Sequence, residues 1–169
     1  MPVTYVDTNK TAPAEKVQFL RVQAEQAVKR GANWFVWIAA LSVVNAIIVM
    51  SGEKTHFLMG LGITTFVDAI AQQAGSGGLF LEIALNGFAV GAFLLFWNFA
   101  RKAQSWAFIV GMTIYALDGV LLLAFKDIPG VAFHGFALYS IYRGMKCVPI
   151  LQKLRAALPA SAAVSSSFQ

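Results

Sequence analysis

Six polar residues of this chain stand where polarity is expensive. Asn45, Glu82, Asn86, Asp118 and His134 interrupt long apolar stretches, and Asp68 interrupts a shorter one. Ionisable groups in lipid face the protein interior and pair with one another. A carboxylate from Asp118 or Glu82 beside the His134 imidazole would fix the ring's tautomer. Glu82, His134 and Asp118 would also make a carboxylate–imidazole set for a divalent metal. Three roles compete for the cluster: interhelical hydrogen bonds that hold a bundle together, the lining of a ligand pocket, and a metal or catalytic centre. The chain has two histidines and no helix-borne pair of ligands, so the metal role has the least support.

Specific catalytic motifs are lacking. Ser76 in AGSGG matches a serine–histidine dyad with His134 in residue type only, because a glycine loop supplies no evident oxyanion hole. GLG at 60–62 and GSGG at 75–78 have neither the preceding strand nor the lysine of a phosphate loop. Cys147 is the sole cysteine, which excludes an intrachain disulfide and a thiolate metal cluster. No catalytic residue is assigned, and no cofactor is specified by these residues.

The elements that must carry the cluster follow from composition. The chain has 169 residues, 58% hydrophobic and 12% charged, against roughly 25% charged in soluble domains. Apolar runs approach the ~20 residues of a membrane span. The expected fold is an all-α integral membrane protein, a helical bundle of four spans at about 32–50, 79–100, 105–125 and 131–148. Residues 13–148 form one membrane domain, preceded by a disordered stretch over 1–12. The first 30 residues carry no apolar core before a cleavage site, so the first span is expected to act as an uncleaved anchor.

Thr11 and Pro13 suit the start of a helix over 13–30. Val17, Leu20, Ala24, Ala27 and Val28 fall on one face of it, and Lys16, Arg21, Glu25 and Lys29 fall elsewhere. That pattern predicts an interfacial amphipathic helix on the membrane surface, the alternative being a helix packed on a partner subunit. Trp34 and Trp37 follow Lys29 and Arg30 as interfacial anchors do. KDIPG (126–130) reads as a tight loop. After the last span, 149–158 reads as a short basic amphipathic segment, and the rest of 149–169 as a disordered tail.

Residues 57–74, FLMGLGITTFVDAIAQQA, are long enough to span but carry Asp68, Gln72 and Gln73. Positive charge decides between the topologies. If this segment crosses, making five spans, six bases fall inside and seven outside. If it does not, eleven fall inside, and only Lys54 and Lys126 lie outside. The four-span arrangement therefore stands, with both termini cytoplasmic in the cell (inner) membrane, and 57–74 as an outer-face amphipathic or re-entrant helix. An ionised Asp in mid-span would cost about 2.5–3.5 kcal/mol on insertion scales, which this placement avoids.

Four spans divide as two plus two, 32–100 and 105–148. Each half opens with bases and a tryptophan, then carries Asn45 or Asp118, then NGFAV (86–90) or HGFAL (134–138). At about 1.5 Å per helical residue, Glu82 and His134 lie about 5–6 Å below the outer ends, and Asn45, Asn86 and Asp118 about 9–12 Å. The polar groups stop halfway, which fits a transport relay poorly. Gly87 and Gly91, with Ala92 and Gly111, are expected to permit close helix contact.

The net charge of +5 invites a nucleic-acid reading. The bases flank apolar spans, where they meet anionic lipid headgroups more simply, so no nucleic-acid partner is expected. The expected partners are membrane lipid and either further copies of the chain or another membrane protein. The expected function is a non-enzymatic module that binds lipid, a small ligand or a partner. A small transporter or channel subunit is the alternative, and an intramembrane metal-dependent enzyme comes third.

Overall fold

The computed structural model describes residues 8–50 and 78–166, all but a few of them in five helices. These are α1 (Thr8–Met50), α2 (Gly78–Arg101), α3 (Ser105–Ala124), α4 (Ile128–Lys146) and α5 (Val148–Ser166). Residues 57–74, including Asp68, lie outside the described residues, as does Ser76.

The helices run alternately up and down. Gly31 meets Gly144, while Trp34 packs on Phe133 and Phe136, so α1 and α4 are antiparallel. Tyr115 and Asp118 meet His134, and Leu122 approaches Gly130, so α3 and α4 are antiparallel. Phe96 meets Trp106 and Phe93 meets Tyr115, which sets α2 against α3 in the same way. It follows that α1 and α2 are antiparallel too. The end of α1 and the start of α2 therefore lie at one end of the bundle.

Most of the described basic residues collect at the other end, Lys126 between α3 and α4 being an exception. Trp97, one turn before Arg101, donates to Asn33, one turn after Lys29, at 3.1 Å. Gln152 of α5 donates to the Ala103 carbonyl at 3.1 Å, tying α5 to the turn between α2 and α3. Arg101 and Lys102 lie beside that turn, and Arg143 and Lys146 close α4. The ends that the charge count assigns to one side of a membrane are thus gathered on one side of the fold.

An aromatic core joins the helices. Phe35 stands at its centre, with ring centroids 6.1–6.2 Å from Phe93, Phe96 and Phe108. Gly111 faces the Phe35 ring so closely that a Cβ there would meet it at 2.7 Å. Gly31 and Gly144 touch through bare backbone, since a Cβ on either would come within 2.6 Å of the other's Cα. Small residues let helices approach in this way where lipid removes the hydrophobic drive to associate. By contrast, Gly87 and Gly91 face open space and form no close contact. Of the glycines expected to pack, only Gly111 does so.

The outer surface is apolar. Phe88 is 77% exposed, Trp37 63% and Leu117 62%. A water-facing surface rarely presents such rings and branched chains together over large areas. Among the described residues, three helices are long and apolar enough to cross a membrane, within Glu15–Ile48, Ile83–Arg101 and Ser105–Ala124. The fourth, α4, carries His134, Arg143 and Lys146 within 19 residues and is less apolar.

Several boundaries differ from expectation. The surface helix at 13–30 and the span at 32–50 are one uninterrupted helix of 43 residues, about 65 Å long at the usual rise. Gly31 costs only about 1 kcal/mol in a helix interior, too little to break it between strong helix formers. Pro13 lies inside this helix rather than in its first turn, because the helix begins at Thr8. The later part of its apolar face is covered, since Ala24 and Val28 share the buried core with Val148 and Leu151 where α5 packs on α1, while Leu20 on the same face stays exposed. α5 itself continues to Ser166, through the stretch read as a tail, where repeated alanine favours helix. Asp127 caps α4 by accepting from the Gly130 N–H at 3.1 Å, so Pro129 and Gly130 belong to the first turn of α4 and not to the loop.

Candidate functional site

The cap of α4 sets the position of His134. Asp127 holds the Gly130 amide, and Pro129 pre-sets the first turn. One turn on, His134 points into the bundle and is 2% exposed. Its Nδ1 lies 2.9 Å from the Gly130 carbonyl, and its Nε2 lies 2.9 Å from Asp118 Oδ2. Asp118 comes from α3 and is 5% exposed.

The proton positions follow from the partners. A carbonyl oxygen only accepts, so Nδ1 carries a hydrogen and donates to Gly130. The contact between Nε2 and Oδ2 then needs one further proton. With that proton on nitrogen, the pair is imidazolium and carboxylate; with it on oxygen, both partners are neutral. Either way the pair has no net charge, which suits a site removed from water.

A face of the ring is also occupied. Tyr115 stacks on it with centroids 4.1 Å apart and planes inclined by 14°. Gly119 leaves the room the ring needs, since a Cβ there would sit 3.3 Å from both Cβ and Cδ2 of His134. Tyr115, Asp118 and Gly119 occupy one face of α3 at spacings of three and four residues, and Leu122 extends that face towards the cap. Phe93 meets Tyr115 edge-on at 6.0 Å, which joins the pair to the aromatic core.

Of the six candidate residues, the structure brings Asp118 and His134 into contact. Asn45 and Asn86 are buried in α1 and α2, at 4% and 8% exposure. Asn86 Oδ1 has no hydrogen-bond partner among the described residues. Glu82 belongs to α2, and its side chain, like the whole of Asp68, lies outside the described ones. Among the described residues, no group of three or more His, Cys, Asp or Glu is placed to hold a metal.

The strings NGFAV and HGFAL adopt the same disposition. Asn86 and His134 point inward, Gly87 and Gly135 face open space, and Phe88 and Phe136 are exposed. The inward residue of the second string meets the acid of the preceding helix.

Four participants escaped the sequence reading: Tyr115, Gly119, Gly130 and the cap Asp127. Their signal was positional. Tyr115 and Gly119 bracket Asp118 on one helical face, and Gly130 precedes His134 by one turn.

Comparison of the chain with protein-family models, with curated proteins and with solved structures finds no match.

Proposed function

We propose that this chain is a small four-span protein of the cell membrane, with both termini in the cytoplasm. In this reading it acts without catalysis, as a module that binds lipid or a membrane partner. The Asp118–His134 pair is its internal lock. The observation that supports this reading is that both His134 nitrogens are committed, one to the Gly130 carbonyl and one to Asp118. With one face against Tyr115 and Gly119 close beside it as well, the imidazole has no lone pair to offer a metal and no path to a substrate proton.

Up-and-down helices with an apolar exterior and the bases at one end support the four-span topology. The surface of α4 completes the bundle although its composition is less apolar. Its polar groups face inward at His134 or lie in the last turn at Arg143 and Lys146, where long basic chains reach the headgroups.

Thermal melts in neutral detergent test the lock. Asp118→Ala should lower stability by about 1–3 kcal/mol, the cost of leaving a buried polar partner unsatisfied. Asp118→Asn should cost under about 1 kcal/mol, because its amide can still donate to Nε2. His134→Ala should cost about 3 kcal/mol, since the ring volume is lost as well. Unchanged stability in both alanine variants would sink the lock and return these residues to a ligand-binding or metal-binding role.

A further inference from the structure

The basic end of the bundle contains a cleft of about 250 Å³ between α1 and α4, lined by Arg30, Gly31, Ser140, Arg143, Gly144 and Cys147. It is smaller than the ~300–1,000 Å³ of pockets for drug-sized ligands. We propose that this cleft binds the phosphate of an anionic membrane lipid, which names a ligand class for the binding module and rests on that reading.

Two arginines border the cleft, one from each helix. Among the described residues, neither has an acid within ion-pair distance. The acids nearest in sequence add little opposition. Glu25 is held by Lys29 at 3.0 Å, and α5 contains no acid. Within α4 there is no acid either, its cap Asp127 being at the far end. Lys29 and Lys146 add positive charge nearby. The negative end of the α4 dipole and the positive end of the α5 dipole meet at Cys147 and largely offset each other. The side-chain charges therefore set the potential.

The chemistry selects phosphate. Guanidinium groups offer paired donors that match phosphate oxygens. The hydroxyl of Ser140 donates to Phe136 O and the thiol of Cys147 to Arg143 O, so the donors for the anion are the two guanidinium groups. Gly31 and Gly144 form a floor without side chains, because a Cβ on either would clash with the opposite backbone. A phosphate can thus approach between the two arginines over this bare backbone, with Ala27 the one aliphatic side chain in the lining.

The surroundings select a lipid over the free ion. One turn from Gly31, Trp34 packs edge-on against Phe136 at 5.3 Å, and Tyr139 stands exposed beside Arg143. Aromatic side chains concentrate where headgroups give way to acyl chains. Beyond them the bundle surface is apolar, so a molecule anchored by its phosphate in the cleft has a bed for its chains.

The test uses the full-length protein in neutral detergent, with thermal melts in added phosphatidylglycerol, in added phosphatidylcholine, or in inorganic phosphate at matched ionic strength. Phosphatidylglycerol should raise the melting temperature of the wild type, and phosphatidylcholine should not. Arg30→Gln with Arg143→Gln should abolish the rise, each guanidinium removed weakening binding roughly tenfold. Lys16→Gln with Lys153→Gln, which removes the same charge elsewhere, should keep it. Arg30→Lys with Arg143→Lys retains the charge without the fork; it should fold and show a reduced rise, which serves if the glutamine pair does not fold. An equal rise in the wild type and the arginine variants overturns the proposal, and so does an equal rise with inorganic phosphate. The basal melting temperature in phosphatidylcholine reports on the Asp118–His134 lock, so failure of the lock and failure of the cleft are read from different numbers.

Discussion

At the scale of the residue, the central object is a polar pair that an apolar interior tolerates because the pair carries no net charge. His134 donates through Nδ1 to Gly130 and shares one proton with Asp118. The two side chains should therefore behave as one unit. A double-mutant cycle in thermal melts with Asp118→Ala and His134→Ala should give a coupling of about 1–3 kcal/mol; additive losses would mean that the contact contributes nothing. Gly119→Ala should cost about 1 kcal/mol by pressing on the ring, which would have to give way by a few tenths of an ångström while stacked on Tyr115. The sequence showed Asp118 and His134 as polar groups in the outer halves of neighbouring apolar segments, and they do meet. It did not show Tyr115 or Gly119, because an aromatic residue and a glycine in an apolar helix carry no polar signal of their own. Asn45 and Asn86 were visible for the same reason as the pair, and both are buried.

At the scale of the element, the glycines separate pattern from packing. The GxxxG spacing of Gly87 and Gly91 was the stronger sequence signal for close contact, yet both face open space. Gly31 and Gly144 had no such spacing, and they make the closest helix crossing. Spacing along one helix cannot say which face is turned inward; the partner helix decides that. Gly31→Ala or Gly144→Ala should force α1 from α4 and cost about 1–3 kcal/mol. Gly87→Ala and Gly91→Ala should be neutral or stabilising by up to about 1 kcal/mol each, since alanine favours helix. Thermal melts of the four variants decide the matter, and a loss at Gly87 or Gly91 would show that their face is covered by another chain. The length of α1 was misread for a related reason. Composition changes sharply near residue 31, from charged to apolar, but the helix backbone responds to propensity and not to that change.

At the scale of the whole molecule, the charge count and the contacts describe the same arrangement from independent starting points. Most of the described bases, Lys126 apart, gather at one end once α1 to α4 are set antiparallel in turn. A reporter fused after residue 76 should then lie outside, and one at the C-terminus inside; a cytoplasmic signal at 76 would overturn the four-span topology. The all-helical organisation was legible because long apolar runs bounded by charged and glycine-rich stretches mark helices in the composition directly. The cleft at Arg30 and Arg143 was not, because its two arginines are over a hundred positions apart in the chain and meet only through the Gly31–Gly144 crossing. The claim on which the account rests is that the bundle is sealed around its polar pair. Solvent exchange of the His134 Nδ1 proton, followed by nitrogen-15 imidazole NMR in lipid and assigned by comparison with His134→Ala, tests that claim directly. The account predicts an Nδ1-protonated ring whose proton exchanges slowly, as a group sealed from water and exposed only by opening of the fold does. Rapid exchange in the folded protein would contradict it and reveal a hydrated pocket or pore where the lock is placed.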